Sequence, residues 1–111
     1  MHKSERPLHA KHDRKALQLC AQVGRAVGDA LTLSEDLRLS SLYVASVIPD
    51  PGIHRLLITL HMDTYADADL GTLQDLLERS HSRIRSEVAD AITRRKVPHL
   101  SFVVLEAPEY P

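Results

Sequence analysis

One amphipathic run that ends near a proline constrains this chain more than any other feature. Apolar residues recur every three to four positions over 70–92, the spacing that places side chains on one face of an α-helix. Pro98 cannot continue a helix and disfavours helical geometry at the residue before it. The helix is therefore predicted to end near Arg95 or Lys96, and residues 99–105 are predicted to form a buried strand.

This helix is long for a chain of 111 residues. Over 69–95 it would extend about 40 Å, whereas a compact chain of this size has a radius of gyration of about 13 Å. The excess length predicts a break into two helices that meet at a kink within residues 79–83. Ser80, His81 and Ser82 mark the weakest point, because short hydroxyl side chains compete for the backbone hydrogen bonds of a helix.

The remainder of the chain is predicted to supply another helix and two more strands. Periodicity and composition place the helix over 11–33, one strand over 41–48 and one strand over 55–62. The turn signal over 49–52 favours an antiparallel hairpin of these two strands. Residues 1–10, which lack periodicity, are predicted to form a flexible basic arm, and residues 34–38 a loop.

These elements predict an α+β fold in the order helix, strand, strand, helix, kink, helix, strand. The simplest two-layer arrangement is a three-stranded sheet with the helices on one face and the other face partly open to water. One domain is predicted over 11–105, followed by a C-terminal tail over 106–111. Gly24 and Gly28, four residues apart in the first helix, mark either a close approach of another element or a chance spacing. The predicted core consists of Val23, Val27, Ile58, Leu60, Leu77, Ile84, Val88 and Phe102.

Composition argues against several classes of function. No apolar run reaches membrane-spanning length, no signal-peptide stretch is visible, and Cys20 has no partner for an intramolecular disulfide, so a cytoplasmic protein is expected. The seven histidines show no ligand spacing apart from His9 and His12, so no metal or other cofactor is expected. No nucleophile with an adjacent base and no phosphate-cradling glycine loop is visible, so neither a catalytic residue nor a small-molecule substrate is expected.

The charges are distributed unevenly along the chain, although the net charge is only −1. Residues 1–25 carry six Lys/Arg against two acids, residues 26–78 carry two against nine, and residues 79–96 carry six against two. Such a dipole can orient a protein on a polyanion, because phosphates respond to the local field. Solvated helix faces are the alternative explanation. Aromatic residues make up only 4% of the chain, so stacking platforms for unpaired bases are scarce.

Five short segments, in this order and at this spacing, resemble bacterial ribosome-binding factor A. They are Leu19–Val23, Asp36–Leu39, Arg83–Ser86, Val97–Pro98 and Leu100–Phe102. The resemblance covers about residues 5–105 and implies a single type II KH-like domain without the usual Gly-x-x-Gly loop. It also implies a protein without enzyme activity that assists late maturation of the small ribosomal subunit, including 16S ribosomal RNA processing, by binding its ribosomal RNA. A monomer is predicted. The Ala-x-Gly kink of that family falls on Ser80 and Ser82, so this chain departs from the motif.

The charge pattern and the resemblance together predict an RNA-binding surface. Its residues are Lys11, Arg14, Lys15, Arg25, Arg79, Ser80, Ser82, Arg83, Arg85, Arg94, Arg95 and Lys96. The basic side chains would neutralise phosphates, and the serines would supply N–H groups at the start of a half-helix. Arg55 lies outside both basic clusters of the sequence and is expected to matter far less. Two alternatives remain: a purely structural kink, and a general RNA-binding or protein-interaction module without a ribosome role.

Overall fold

The computed structural model describes residues 6–50, 54–62, 69–92 and 96–108, with side chains from Arg14 onward. Its elements are α1 (Arg6–Thr32), α2 (Leu37–Ser40), β1 (Leu42–Pro49), β2 (Arg55–Met62), α3 (Leu70–Ala91) and β3 (His99–Glu106). The predicted α+β class is confirmed, and all three predicted strands are present. Helix α2 was not predicted.

The three strands form one sheet in the order β1-β2-β3. Strands β1 and β2 are antiparallel, which confirms the predicted hairpin, and β2 and β3 are parallel. A parallel pair needs a crossover connection, and α3 lies within it. The register of β1 shifts between Val44 and Ser46. Because a bulge inserts one residue into the alternation, Val44 and Val47 both pack against the core.

The core lies between one face of the sheet and the two long helices. Strand β2 buries alternate residues, with Ile58 and Leu60 fully enclosed, as its period of two predicts. Seven of the eight predicted core residues are buried, and Phe102 is half-buried against the same cluster. On the other face, Tyr43 and Leu105 are exposed. The prediction of helices on one face and partial solvation of the other is therefore confirmed.

Helix α3 runs without interruption over its 22 residues, so the predicted division at residues 79–83 is wrong. Side chains of the helix are anchored on β3. His81 Nε2 lies 2.8 Å from the carbonyl oxygen of Leu100, and Gln74 donates to the carbonyl of Phe102 and accepts from the N–H of Val104. These contacts, with the apolar face of the helix buried, outweigh the weak intrinsic helix propensity of the serines.

The long helix also ends earlier than predicted. Ile92 is extended, with φ −104° and ψ 144°, and its buried side chain turns into the core. The helix therefore stops at Ala91 rather than near Arg95, and Pro98 is not its terminator. At 22 residues it is about 33 Å long, which fits within the 52 Å longest extent of the molecule.

Two further boundaries differ from the predictions. Helix α1 begins at Arg6, so residues 6–10 belong to a helix rather than to an arm, and residues 1–5 lie outside the described part. Pro7 is compatible with this start, because the N–H groups of a first turn have no helical partner. Helix α2 replaces the end of the predicted loop. Asp36 caps it by accepting a hydrogen bond of 2.9 Å from the N–H of Arg38.

Candidate nucleic-acid interface

Helix α1 carries exposed basic residues along its outer side. Arg14, Lys15 and Arg25 are all exposed. Arg14 and Arg25 lie eleven positions apart, which is about 20° around the helix axis and about 17 Å along it. The two guanidinium groups therefore project from the same side of the helix. Lys11 lies in α1, but its side chain is outside the described part.

The described side chains of α1 before Leu19 contribute little to the core. Among the residues whose side chains are described, the first buried one is Leu19, and over 14–18 only Ala16 is half-buried. The core uses the later turns of this 27-residue helix. Arg14, Lys15, Leu17 and Gln18 are therefore accessible to a large ligand.

The basic residues of α3 do not form one patch. Arg79, Arg83 and Arg85 are all exposed. Arg79 and Arg83 are one turn apart and lie on the same side, whereas Arg83 and Arg85 are separated by about 200° around the axis. Arg83 Nη2 reaches Ser34 Oγ, at the end of α1, at 3.5 Å. Arg85 Nη2 donates to the carbonyl of Val97, next to β3, at 3.4 Å. Thus α3 presents positive charge on two opposite flanks.

Carboxylates surround the Arg83 flank. Arg83 Nη1 and Glu87 Oε2 are 2.7 Å apart, an ion pair within one turn of α3. The depression beside Arg83 and Ser80 is also lined by Glu35 and Asp36. Hydrogen bonds from Arg38 lower the pKa of the Asp36 carboxyl, so this group stays ionised at neutral pH. Glu87 therefore offsets part of the positive charge of Arg83, whereas Asp36 is already paired with Arg38.

The predicted phosphate site at Ser80 and Ser82 does not form in the way expected. Both serines lie inside the continuous helix α3, where backbone N–H groups bond to carbonyls four residues earlier. Those N–H groups are consequently not directed at a ligand. Ser82 is exposed and Ser80 half-buried, so what they can offer is a hydroxyl group.

Lys96 lies on the other side of the domain, together with Arg85. Lys96 is exposed and precedes Val97, whose carbonyl accepts the hydrogen bond from Arg85. Arg94 and Arg95 are outside the described residues. The structure also brings Arg55 to this region, because Arg55 at the start of β2 pairs in register with His99 at the start of β3. The expectation that Arg55 matters less than the two basic clusters stays a prediction, and its position at this end of the sheet follows from two parallel strands that begin at the same edge.

Comparison with solved structures identifies this fold. The crystal structure of ribosome-binding factor A from Thermus thermophilus matches with a TM-score of 0.68 at 25% sequence identity, over 79% of this chain and 92% of that chain. This chain has the fold of ribosome-binding factor A. A second match is a homology model of the Thermus thermophilus ribosome-binding factor A fitted into a cryo-EM map of its 30S complex, with a TM-score of 0.61 at 24% identity over 76% and 88% of the two chains. The predicted resemblance is confirmed.

Comparisons by sequence add no second family. No protein-family model matches the chain, and no curated protein matches it. The resemblance to ribosome-binding factor A therefore depends on the three-dimensional structure together with the five segments of the sequence.

The described part of this ribosome-binding factor A fold gives little support for a metal site, a membrane-spanning helix or a catalytic cysteine. It contains no group of three or more His, Cys, Asp or Glu side chains that could hold a metal ion. Within the same residues, no helix is both long and apolar enough to cross a membrane. Cys20 is buried in the core, and this burial raises the pKa of its thiol, which makes it a poor nucleophile.

Proposed function

We propose that this protein is a ribosome-binding factor that assists late maturation of the small ribosomal subunit, including processing of 16S ribosomal RNA, by binding the RNA of that subunit. The observation that carries the proposal is the match in fold to Thermus thermophilus ribosome-binding factor A over 92% of that chain. A second neighbour, fitted into a map of a 30S complex, supports the choice of partner. The protein acts as a single KH-like domain over 11–105, as a cytoplasmic monomer, and without catalysis or a cofactor.

Binding in this proposal is mainly electrostatic. Each Lys or Arg that neutralises a phosphate releases condensed counterions, which favours association at low salt. Such contacts are supported by exposed basic side chains on two helices. These are Arg14, Lys15 and Arg25 on α1, and Arg79 and Arg85 on α3. Lys11, Ser80, Ser82, Arg83, Arg94, Arg95 and Lys96 complete the proposed surface. Because Glu87 pairs with Arg83, we expect Arg83 to contribute less than the other cations.

Cosedimentation with purified ribosomal subunits tests the proposed function. We expect the protein to pellet with small subunits rather than with large subunits, and with precursor small subunits more than with mature ones. Equal recovery with both kinds of subunit, or binding to free RNA alone, would instead support a general RNA-binding module. Binding to neither subunits nor free RNA would leave a protein-interaction module using the acidic middle of the chain.

Charge reversal tests the basic surface separately. Changing Arg94, Arg95 and Lys96 together to glutamate should weaken binding to small subunits strongly and reduce its salt dependence, by about 0.7–0.9 in the log-log slope for each phosphate that is no longer neutralised. The control is Arg38→Glu, which reverses the charge of an exposed residue already paired with Asp36 on α2. Binding of the triple variant with unchanged affinity and slope would exclude this segment from the interface.

A further inference from the structure

The parallel pairing of β2 and β3 gathers cationic side chains at one end of the sheet. Arg55 and His99 are register partners at the first positions of the two strands. The N–H of His99 donates to the carbonyl of His54 at 2.8 Å, which joins the segment before β2 to the start of β3. All three side chains are exposed. Neighbouring strands lie about 4.8 Å apart, so these groups form one surface.

Helix α3 adds a further charge to the same end. The helix runs antiparallel to β3. Gln74, in the first half of the helix, bonds to the middle of the strand, whereas Arg85, in the second half, bonds to Val97, which precedes the strand. Lys96 is exposed next to Val97 and three positions before His99. We call these residues, which come from three distant parts of the sequence, the sheet-end cluster: His54, Arg55, Arg85, Lys96 and His99. Arg55 and His99 alternate with the core residues Leu56 and Leu100, so they project from the open face of the sheet, whereas Arg85 lies on the helix side. The cluster therefore surrounds the end of the sheet where β2 and β3 begin, with cations on both of its sides.

The positive charges of this cluster are not used within the described part of the protein. The ion pairs there are Arg38–Asp36 and Arg83–Glu87, and they include no member of the cluster. Asp50 is the acid next to it in the hairpin, since its N–H donates to the carbonyl of Arg55 at 2.8 Å. Three permanent positive charges thus have no ion-pair partner among the described residues, which leaves an excess that attracts anions.

The chemistry of the cluster suits phosphodiester groups. The Arg85 guanidinium uses one N–H donor in a long hydrogen bond to the neutral carbonyl of Val97. A guanidinium has five N–H donors in a fixed fork that matches phosphate oxygens, so donors remain for a phosphate. Lys96 contributes a point charge, and the histidine rings contribute further nitrogen donors. Because the cations come from a strand, a helix and a connecting segment, they can follow a backbone rather than enclose a single small anion.

We propose that the sheet-end cluster is a second RNA-backbone site, on the flank of α3 opposite Arg83, with Arg55 and Arg85 as its main phosphate ligands. The inference rests on the proposed function, since it takes RNA as the partner. It extends that function by adding His54, Arg55 and His99 to Arg85 and Lys96, which the proposed surface already contains, and by placing these five residues at one end of the sheet. A domain with cations on two flanks would hold two separate RNA segments, or two sides of one folded segment.

The test uses the full chain with purified small ribosomal subunits and with free 16S ribosomal RNA as probes, titrated from low to high salt. We expect Arg55→Gln and Arg85→Gln each to lower affinity roughly fivefold at 0.1 M salt, and the double variant roughly 25-fold, with the log-log salt slope reduced by about 0.7 per residue. The conservative changes Arg55→Lys and Arg85→Lys should retain most of the slope. Arg38→Gln is the matched control, because it removes the same charge from an exposed position outside the cluster.

The outcomes separate this inference from the proposed function. Binding of the double variant with the affinity and slope of the unmodified protein overturns the sheet-end site and leaves the proposed function intact. An effect of Arg38→Gln equal to that of Arg55→Gln also overturns it, because the response would then report net charge alone. If the unmodified protein binds neither probe, both proposals fail. Unfolding curves for each variant exclude loss of folding as the cause, since exposed charges contribute little to stability.

Discussion

Gly24→Ala and Gly28→Ala make the same change one turn apart in helix α1, and we predict different effects on stability. A Cβ atom at Gly24 would lie 3.2 Å from Cγ2 of Val47 and 3.8 Å from Cγ1 of Val44, both in β1. A Cβ atom at Gly28 would meet nothing within 4 Å. Of the two explanations for the glycine spacing, close approach therefore applies to Gly24 alone.

The magnitude follows from two opposing effects. Alanine is more favourable than glycine inside a helix by about 1 kcal/mol. At Gly28 nothing opposes this gain, so the free energy of unfolding should rise by about that amount. At Gly24 the new methyl group crowds Val47 in the packed interface, and overpacking costs roughly 1–3 kcal/mol. The Gly24 variant should therefore be about 1–3 kcal/mol less stable than the Gly28 variant, and no more stable than the unmodified protein.

Urea unfolding followed by far-ultraviolet circular dichroism measures both values, provided that the slope with denaturant stays constant. Each variant serves as the control for the other, since both change glycine to alanine within one helix. Equal stabilisation by the two substitutions would refute close packing of α1 on β1. Destabilisation by Gly28→Ala would show that the outer side of this turn is not open.

Three further predictions concern the core, the anchoring of α3 and the dependence on pH. Val88→Ala or Ile58→Ala, both fully buried, should each lower the free energy of unfolding by about 1–4 kcal/mol in urea melts; no loss for either would mean that the buried faces are assigned wrongly. Gln74→Leu should cost about 1–3 kcal/mol, because the carbonyl of Phe102 and the N–H of Val104 would each lose their hydrogen-bond partner in the Gln74 side chain; an unchanged midpoint would refute the anchoring role. Asp69 caps the start of α3 by accepting a hydrogen bond of 2.7 Å from the N–H of Thr72. Hydrogen bonds from the backbone and side chain of Thr72 lower the pKa of the Asp69 carboxyl, so the contribution of this cap to the free energy of unfolding is present at neutral pH and is lost as the pH falls below about 4. Asp69→Asn keeps a capping side chain but should flatten this part of the pH–stability curve; an identical acid limb would contradict the assignment.

Much of the fold followed from local patterns. The alternation over 55–62 predicted the bounds and buried face of β2, and the turn signal after β1 predicted the antiparallel hairpin. Both depend on interactions between residues close in sequence, so periodicity and turn chemistry are sufficient to predict them. The exposure of Arg14, Lys15 and Arg25 followed in the same way from the helical period of α1.

The continuity of α3 could not be predicted from its own residues. Ser80 and Ser82 have weak helix propensity, and this predicted a break. The helix is held instead by hydrogen bonds from Gln74 to residues 28 and 30 positions later, and from His81 to Leu100. No short segment of sequence contains both partners of these bonds. They keep α3 continuous because they join a buried helix face to a strand edge.

The sequence by itself determined where the three strands and the two long helices lie, which faces they bury and which segments are basic, because each of these properties repeats with the local geometry of the backbone. Only the tertiary structure decided which charges are neighbours. Arg83 and Arg85, two positions apart, lie on opposite flanks of α3, and Arg83 is neutralised by Glu87. Arg55, Arg85 and Lys96 come from distant segments to the same end of the sheet, because β2 and β3 both start there and α3 returns to it. Arg55 lies on the open face of that end and Arg85 on the helix side.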